Sequence, residues 1–326
     1  MNLKLLFGSV LLSIIIFSCK KTNSISTTPP PPPVDTMITT PKDTLAAGWS
    51  KTVLSDSPVF VDIFFMNNTG FAMTSSSIYK SINGGTTWTK IFSGGTNIIN
   101  MGMGSETNAA FAAHPNTIIS TQDAGVGFNT IAVSDVLISD VFFVDSLTAY
   151  AAGKSIWETN DAGLHWAKIY EFPNQGNYQT LYFLNEQTGW VIRTDGLYNT
   201  TDSGLTWQLV NEGNQVNVSQ AGVVFFTNTS HGFISDLNII AATTDGGSTW
   251  NKIYSATSDT YHDLHFLNDN IGYVTDGQYI LKTVNGGSTW TKEATVPGII
   301  FYEIHFTDAN HGWACGSGGV ILKYEK

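Results

Sequence analysis

The sequence predicts an all-β fold: a seven-bladed β-propeller of four-stranded blades, its ring closed by an N-terminal strand, Trp49 to Leu54, joining the C-terminal blade. Three observations predict it. A short motif recurs with closing aromatics at 88, 128, 166, 207, 250 and 290, a period near 40 residues, and several strands per repeat at that period mark a propeller. Only 13% of the 326 residues are charged, while Gly (31), Phe (19), Tyr (12) and Trp (9) are plentiful; this composition suits short strands joined by glycine turns and not long helices. The final repeat also stops one strand short, and a matching strand stands unused at the start.

The motif reads Ser81-Ile-Asn83-Gly-Gly85-Thr-Thr-Trp88 in its first copy and Thr243-Thr-Asp245-Gly-Gly247-Ser-Thr-Trp250 in its fifth. The Asp or Asn side chain can accept backbone N–H groups just ahead of it and close a tight turn. The Gly supplies a left-handed backbone position, and the aromatic opens the next strand. Asn83, Asp123, Asp161, Asp202, Asp245 and Asn285 are therefore structural candidates.

Between these turns a second pattern repeats, as in Asp140-Val-Phe-Phe143, Thr180-Leu-Tyr-Phe183 and Asp263-Leu-His-Phe266, each followed by a Gly/Ala-aromatic pair such as Gly189-Trp190. Strands apolar on both faces belong between neighbouring sheets. After Trp290 a seventh unit begins at Glu303-Ile-His-Phe306 and ends at Val320 to Tyr324 without its turn motif. Trp49-Ser-Lys-Thr-Val53 matches the outer strand Trp250-Asn-Lys-Ile-Tyr254 and completes that blade, removing the exposed edges of both terminal blades.

The motif Ser/Thr-x-Asp/Asn-x-Gly-x-x-aromatic resembles the Asp-box, or BNR repeat. That resemblance implies a hairpin between the third and fourth strands of each blade, at the periphery and away from any ligand. The whole repeat looks like the photosystem II assembly-factor family of propellers, whose relatives in non-photosynthetic bacteria are secreted or lipid-anchored. The photosynthetic members use an arginine patch to engage their partner. This chain has one arginine, Arg193, so that partner is not carried over. Sialidases, which share the box, clamp a substrate carboxylate with three arginines, and one Arg cannot supply that bidentate recognition.

The N-terminus reads as an address. Lys4 precedes an apolar run, Leu5 to Phe17, too short to cross a bilayer and typical of a secretory signal. Ile16-Phe17-Ser18-Cys19 resembles the bacterial lipoprotein cleavage site, implying lipidation at Cys19. The expected organisation is a signal peptide (1–18), a lipidated Pro/Ser/Thr-rich linker (19–44) containing Pro29 to Pro33, and the propeller (45–326). A polyproline spacer would hold the ring off the membrane. The expected location is the bacterial cell envelope, at the outer membrane or cell surface, and the expected state a monomer. With Cys19 lipidated, Cys315 has no disulfide partner and reads as a small packed hydrophobe.

A net charge of −11 argues against nucleic-acid binding, which needs clustered Lys and Arg. At the start of each inner strand stand Asp62, Met101, Asp140, Thr180, Val223, Asp263 and Glu303. This alignment places four acids, Asp62, Asp140, Asp263 and Glu303, around one mouth of the channel. They either satisfy backbone amides at the strand starts or form a ligand mouth; a glycosidase would need two carboxyls roughly 5 to 10 Å apart. Two residues on, His265 and His305 replace Phe64, Met103, Phe142, Tyr182 and Phe225 and read as packed core histidines. No metal, cofactor or catalytic residue is assigned. Two function classes remain: a non-enzymatic envelope lipoprotein acting as a protein-binding or assembly scaffold, and a carbohydrate-active protein using the acidic ring.

Overall fold

The computed structural model describes residues 42–134, 137–173, 178–211, 222–236, 239–255 and 263–326. The signal segment, Cys19 and the proline run fall outside them. Seven antiparallel sheets form an all-β, seven-bladed propeller. Blade 1 is Asp62–Met66, Thr69–Met73, Ser77–Ser81 and Thr89–Ser93 from channel to rim, and the other blades repeat this up-and-down order.

The seventh blade is built from both ends of the chain. Trp49–Val53 pairs antiparallel with Val320–Glu325, Trp49 opposite Tyr324 and Val53 opposite Val320. Leu54 N–H continues the ladder to Gly319 O at 2.9 Å. Trp49 is 7% exposed and packs against Tyr273, Phe306 and Tyr324, so the closing strand brings core as well as hydrogen bonds. The ring closes as the sequence predicts. Thr44–Leu45 goes further and adds a fifth strand to blade 6, pairing with Thr295 and Ala294. Among the described residues the first strand thus begins at Thr44, a residue the sequence reading left in the linker.

The Gly-aromatic pairs hold the blades together. Trp190 of blade 4 stacks on the inner-strand Phe226 of blade 5 at 3.7 Å between centroids. Phe233 stacks on Phe266 at 3.5 Å, Tyr273 on Phe306 at 4.0 Å and Trp313 on Phe65 of blade 1 at 3.8 Å. Each such Phe also lies over the glycine of its own blade. A Cβ on Gly232 or Gly272 would stand 2.5 Å from the Phe226 or Phe266 ring, and one on Gly189 would stand 2.7 Å from Phe183. The glycine is required because the ring is wedged between it and the next blade's aromatic. Lys51, Lys90, Lys168, Lys252 and Lys292 are exposed on the outer strands, which leaves the blade interfaces almost free of charge.

Candidate functional site

The repeated turns sit between the third and fourth strands of six blades. In blade 4, Asp202 Oδ1 accepts from Thr206 N–H at 2.8 Å and from the Thr200 hydroxyl at 2.8 Å, while Thr200 Oγ1 accepts from Gly204 N–H at 3.0 Å. Asn83, Asp123, Asp161, Asp245 and Asn285 make the same backbone bond four residues ahead. The hairpins need two left-handed residues in series, such as Ala162 (φ 58°) and Gly163 (φ 86°), where the sequence reading expected one. Hydrogen bonds from Gly127 N–H, Thr206 and Thr249 lower the pKa of Asp123, Asp202 and Asp245.

The inner strands place the other acids together at the axis. Asp62 Oδ2 accepts from Met101 N–H at 2.8 Å. Asp140 Oδ2 accepts from Leu181 N–H at 2.6 Å, and Asp263 Oδ2 from Ile304 N–H at 2.8 Å. In each case the acceptor on one blade ties down the inner strand of the next. Blade 2 makes the same bond with Asn100, whose Oδ1 accepts from Val141 N–H at 3.0 Å. This corrects the sequence alignment, which put Met101 in the ring. Met103 opposes Ala109 as Phe65 opposes Gly70, so Met103 is the core residue, Gly102 occupies the aromatic slot, and the ring position is Asn100. The slip arises because blade 2 lacks the Phe that marks the register.

Glu303 accepts no such inter-blade bond among those described; it interacts electrostatically with Asp263, whose charge, after burial, raises its pKa. Asp62, Asp140 and Asp263 are at most 7% exposed, and burial raises all four carboxyl pKa values. Asp62 rises to about 8, pushed first by burial and then, against the Met101 bond, by the charges of Asp263 and Asp140. Asp140 and Asp263 rise to about 6. Glu303 is raised well above the usual range by burial and by Asp263 and Asp62.

Two residues further along, Phe64, Phe142, Tyr182, Phe225, His265 and His305 form a collar of rings. Successive centroids lie 5.4 Å (Phe142–Tyr182), 5.1 Å (Tyr182–Phe225), 5.2 Å (Phe225–His265), 5.5 Å (His265–His305) and 4.1 Å (His305–Phe64) apart. The collar is broken at Gly102. Carboxyls and collar together line an axial cup of about 320 Å³. His305 Nε2 lies 3.0 Å from Phe65 O, and burial lowers the pKa of His305 to about 4 and of His265 to about 3. Among the described residues, no group of three or more His, Cys, Asp or Glu is arranged to hold a metal ion. Cys315 is buried in the blade 7–blade 1 core, as its sequence context suggests.

The sequence reading missed two further features. Arg193 is fully buried, hydrogen-bonded to Asp195 at 2.7 Å and stacked 4.1 Å from the Phe172 centroid; its guanidinium links the Asp195 turn of blade 4 to Phe172, which follows the outer strand of blade 3. Tyr182 O–H donates to Phe226 O at 2.7 Å and locks two inner strands.

The fold and site define a single-ring propeller with an acid-walled, aromatic-floored axial cup. No protein-family model matches the sequence, and no curated protein matches it. Among solved structures, one similar to it is YCF48 bound to D1 peptide, with a TM-score of 0.71 and 17% identity over 87% of this chain and 100% of that one. Virginiamycin B lyase from Staphylococcus aureus gives 0.70 and 12% over 87% and 100%. The GH74 xyloglucanase from Xanthomonas campestris gives 0.64 and 11% over 85% of this chain, which spans 54% of that enzyme. At these identities the likeness establishes the fold.

Proposed function

We propose that this chain is a non-enzymatic cell-envelope lipoprotein, anchored through Cys19, whose propeller is a protein-binding scaffold. The observation that carries this reading is the use of the axial acids. Three of the four spend an oxygen on the neighbouring blade's amide, which is a structural task. The fourth, Glu303, has its pKa raised by burial first and then by the charge of Asp263, so it stands among like charges with no Lys or Arg among the described residues that line the cup. The similar YCF48 structure holds a peptide, which supports binding to protein. The lipobox-like Ile16-Phe17-Ser18-Cys19 and the proline spacer support a tethered ring.

In-cell crosslinking with partner identification tests the proposal. The expected outcome is a reproducible envelope protein crosslinked to wild type and released when Cys19→Ala moves the chain off the membrane. A carbohydrate-active role draws on one specific observation, the raised pKa of Asp62 beside acids that titrate lower. Sugar release by the purified chain, abolished in Asp140→Asn or Asp263→Asn with the fold intact, would replace the scaffold reading.

A further inference from the structure

We propose that the axial cup binds an organic ammonium group, carried by a free amine or by a lysine side chain of a partner. This site stands independently of the scaffold reading. Its volume, about 320 Å³, falls at the lower end of the range for small-ligand sites. Its floor is the collar of six rings, and its wall carries Asp62, Asp140, Asp263 and Glu303. With about 3.3 Å of rise per strand residue, the carboxyl level lies two residues, or roughly 6 to 7 Å, from the ring level. An ammonium group bearing alkyl carbons meets both surfaces at once: its charge faces carboxyls and its carbons face rings. Among the described residues that line the cup there is neither Lys nor Arg, so none of them already fills that role.

A second observation points the same way. His265 lines the cup, and among the described residues its imidazole has ring contacts but no hydrogen bond. Held neutral by burial, it keeps a lone pair that can accept from the N–H of a primary ammonium group or from the hydroxyl of choline. The titratable groups facing Asp62 are Asp140, Asp263 and Glu303, with His265 and His305 at the collar and Cys315 behind the blade 7 strand. All the acids among them carry raised pKa values. An arriving cation favours their ionised forms. Charge then balances simply: the cation enters, a carboxylic acid becomes a carboxylate, and its proton leaves to solvent. Binding should therefore tighten as pH rises.

Titration calorimetry on the full chain tests this, with choline chloride and butylammonium chloride as probes and sodium chloride at equal ionic strength as the control. Repeating it in buffers of different ionisation heat counts the protons released. The expected result is binding of both organic cations, about tenfold tighter at pH 8 than at pH 6, with proton release and no sodium binding. Asp62→Asn keeps an amide acceptor, as Asn100 shows in blade 2, and should weaken binding about tenfold and reduce proton release. Phe225→Leu reads the aromatic half of the site without touching an acid and should weaken choline binding. A lysine peptide and its Nε-acetylated copy separate the two sources: binding of the unmodified peptide alone, without the free amines, assigns the group to a partner's lysine and upholds the site. The proposal is overturned if sodium chloride gives the same heat and proton release as choline. It is equally overturned if choline, butylammonium and the lysine peptide all fail to bind folded wild type at pH 8, or if Asp62→Asn and Phe225→Leu, both folded, bind as wild type does.

Discussion

The same residue type does opposite electrostatic work at the rim and at the axis of this ring. At the rim, Asp202 and Asp245 fold their own hairpins through bonds spanning four residues, and donors lower their pKa. At the axis, Asp62, Asp140 and Asp263 bond residues 39 to 41 positions away, one repeat length, and join one blade to the next. Burial there raises the pKa instead. A carboxylate near water keeps its charge and closes a turn; a carboxyl buried on the closed axis binds its proton more tightly than a free one.

This contrast can be broken in order of expected effect. Gly232→Ala at a blade interface should be the most damaging, about 3 kcal/mol, because the Phe226 ring is trapped against Trp190 and cannot move aside. Denaturant unfolding measures it, and a loss under about 1 kcal/mol would show that the stacks have slack. At the axis, Asp62→Ala strands the Met101 N–H and should cost about 2 kcal/mol, while Asp62→Asn at pH 5 should be nearly silent. At the rim, Asp202→Ala should cost about 1 kcal/mol, since water can reach the freed donors. Ala162→Gly should stabilise slightly, by about 0.5 kcal/mol, because Ala162 sits at φ 58°, a conformation that glycine adopts without penalty.

The pH dependence has the opposite sign in the two regions. The axial acids bind protons more tightly folded than unfolded, so their contribution falls as pH rises from about 4 towards 8. The rim acids bind protons less tightly folded, so theirs is complete above the ordinary Asp range and is lost on acidification through their lowered pKa values. Thermal melting should peak at mildly acidic pH, and Asp62→Asn should flatten only the alkaline side.

The rim was legible in the sequence and the axis only in part. A hairpin is local, so Thr200, Asp202, Gly204 and Trp207 must stand at fixed spacing, and the copies count the blades. The closing strand was legible because Trp49 and Lys51 repeat the outer-strand pattern. The axial acids could be placed at one level, yet their partners are amides of the next blade, which carry no side-chain signature. Blade 2 hid its register because Gly102 and Met103 replace the two aromatics. The strand Thr44–Leu45 is two residues long and has no pattern to show. Arg193 could be used to exclude functions by number, but its burial follows from Phe172 and Asp195 around it.

The central claim is that the axial acids titrate above the ordinary Asp range and that Asp62, which ties blade 1 to blade 2, holds its proton near neutral pH. Carbon-13 NMR of labelled Asp side chains, assigned through Asp62→Asn, measures it most directly. The account predicts an Asp62 carboxyl that titrates near pH 8 while Asp202 and Asp245 titrate below the ordinary Asp value. An Asp62 midpoint in the ordinary Asp range, near 4, would contradict it.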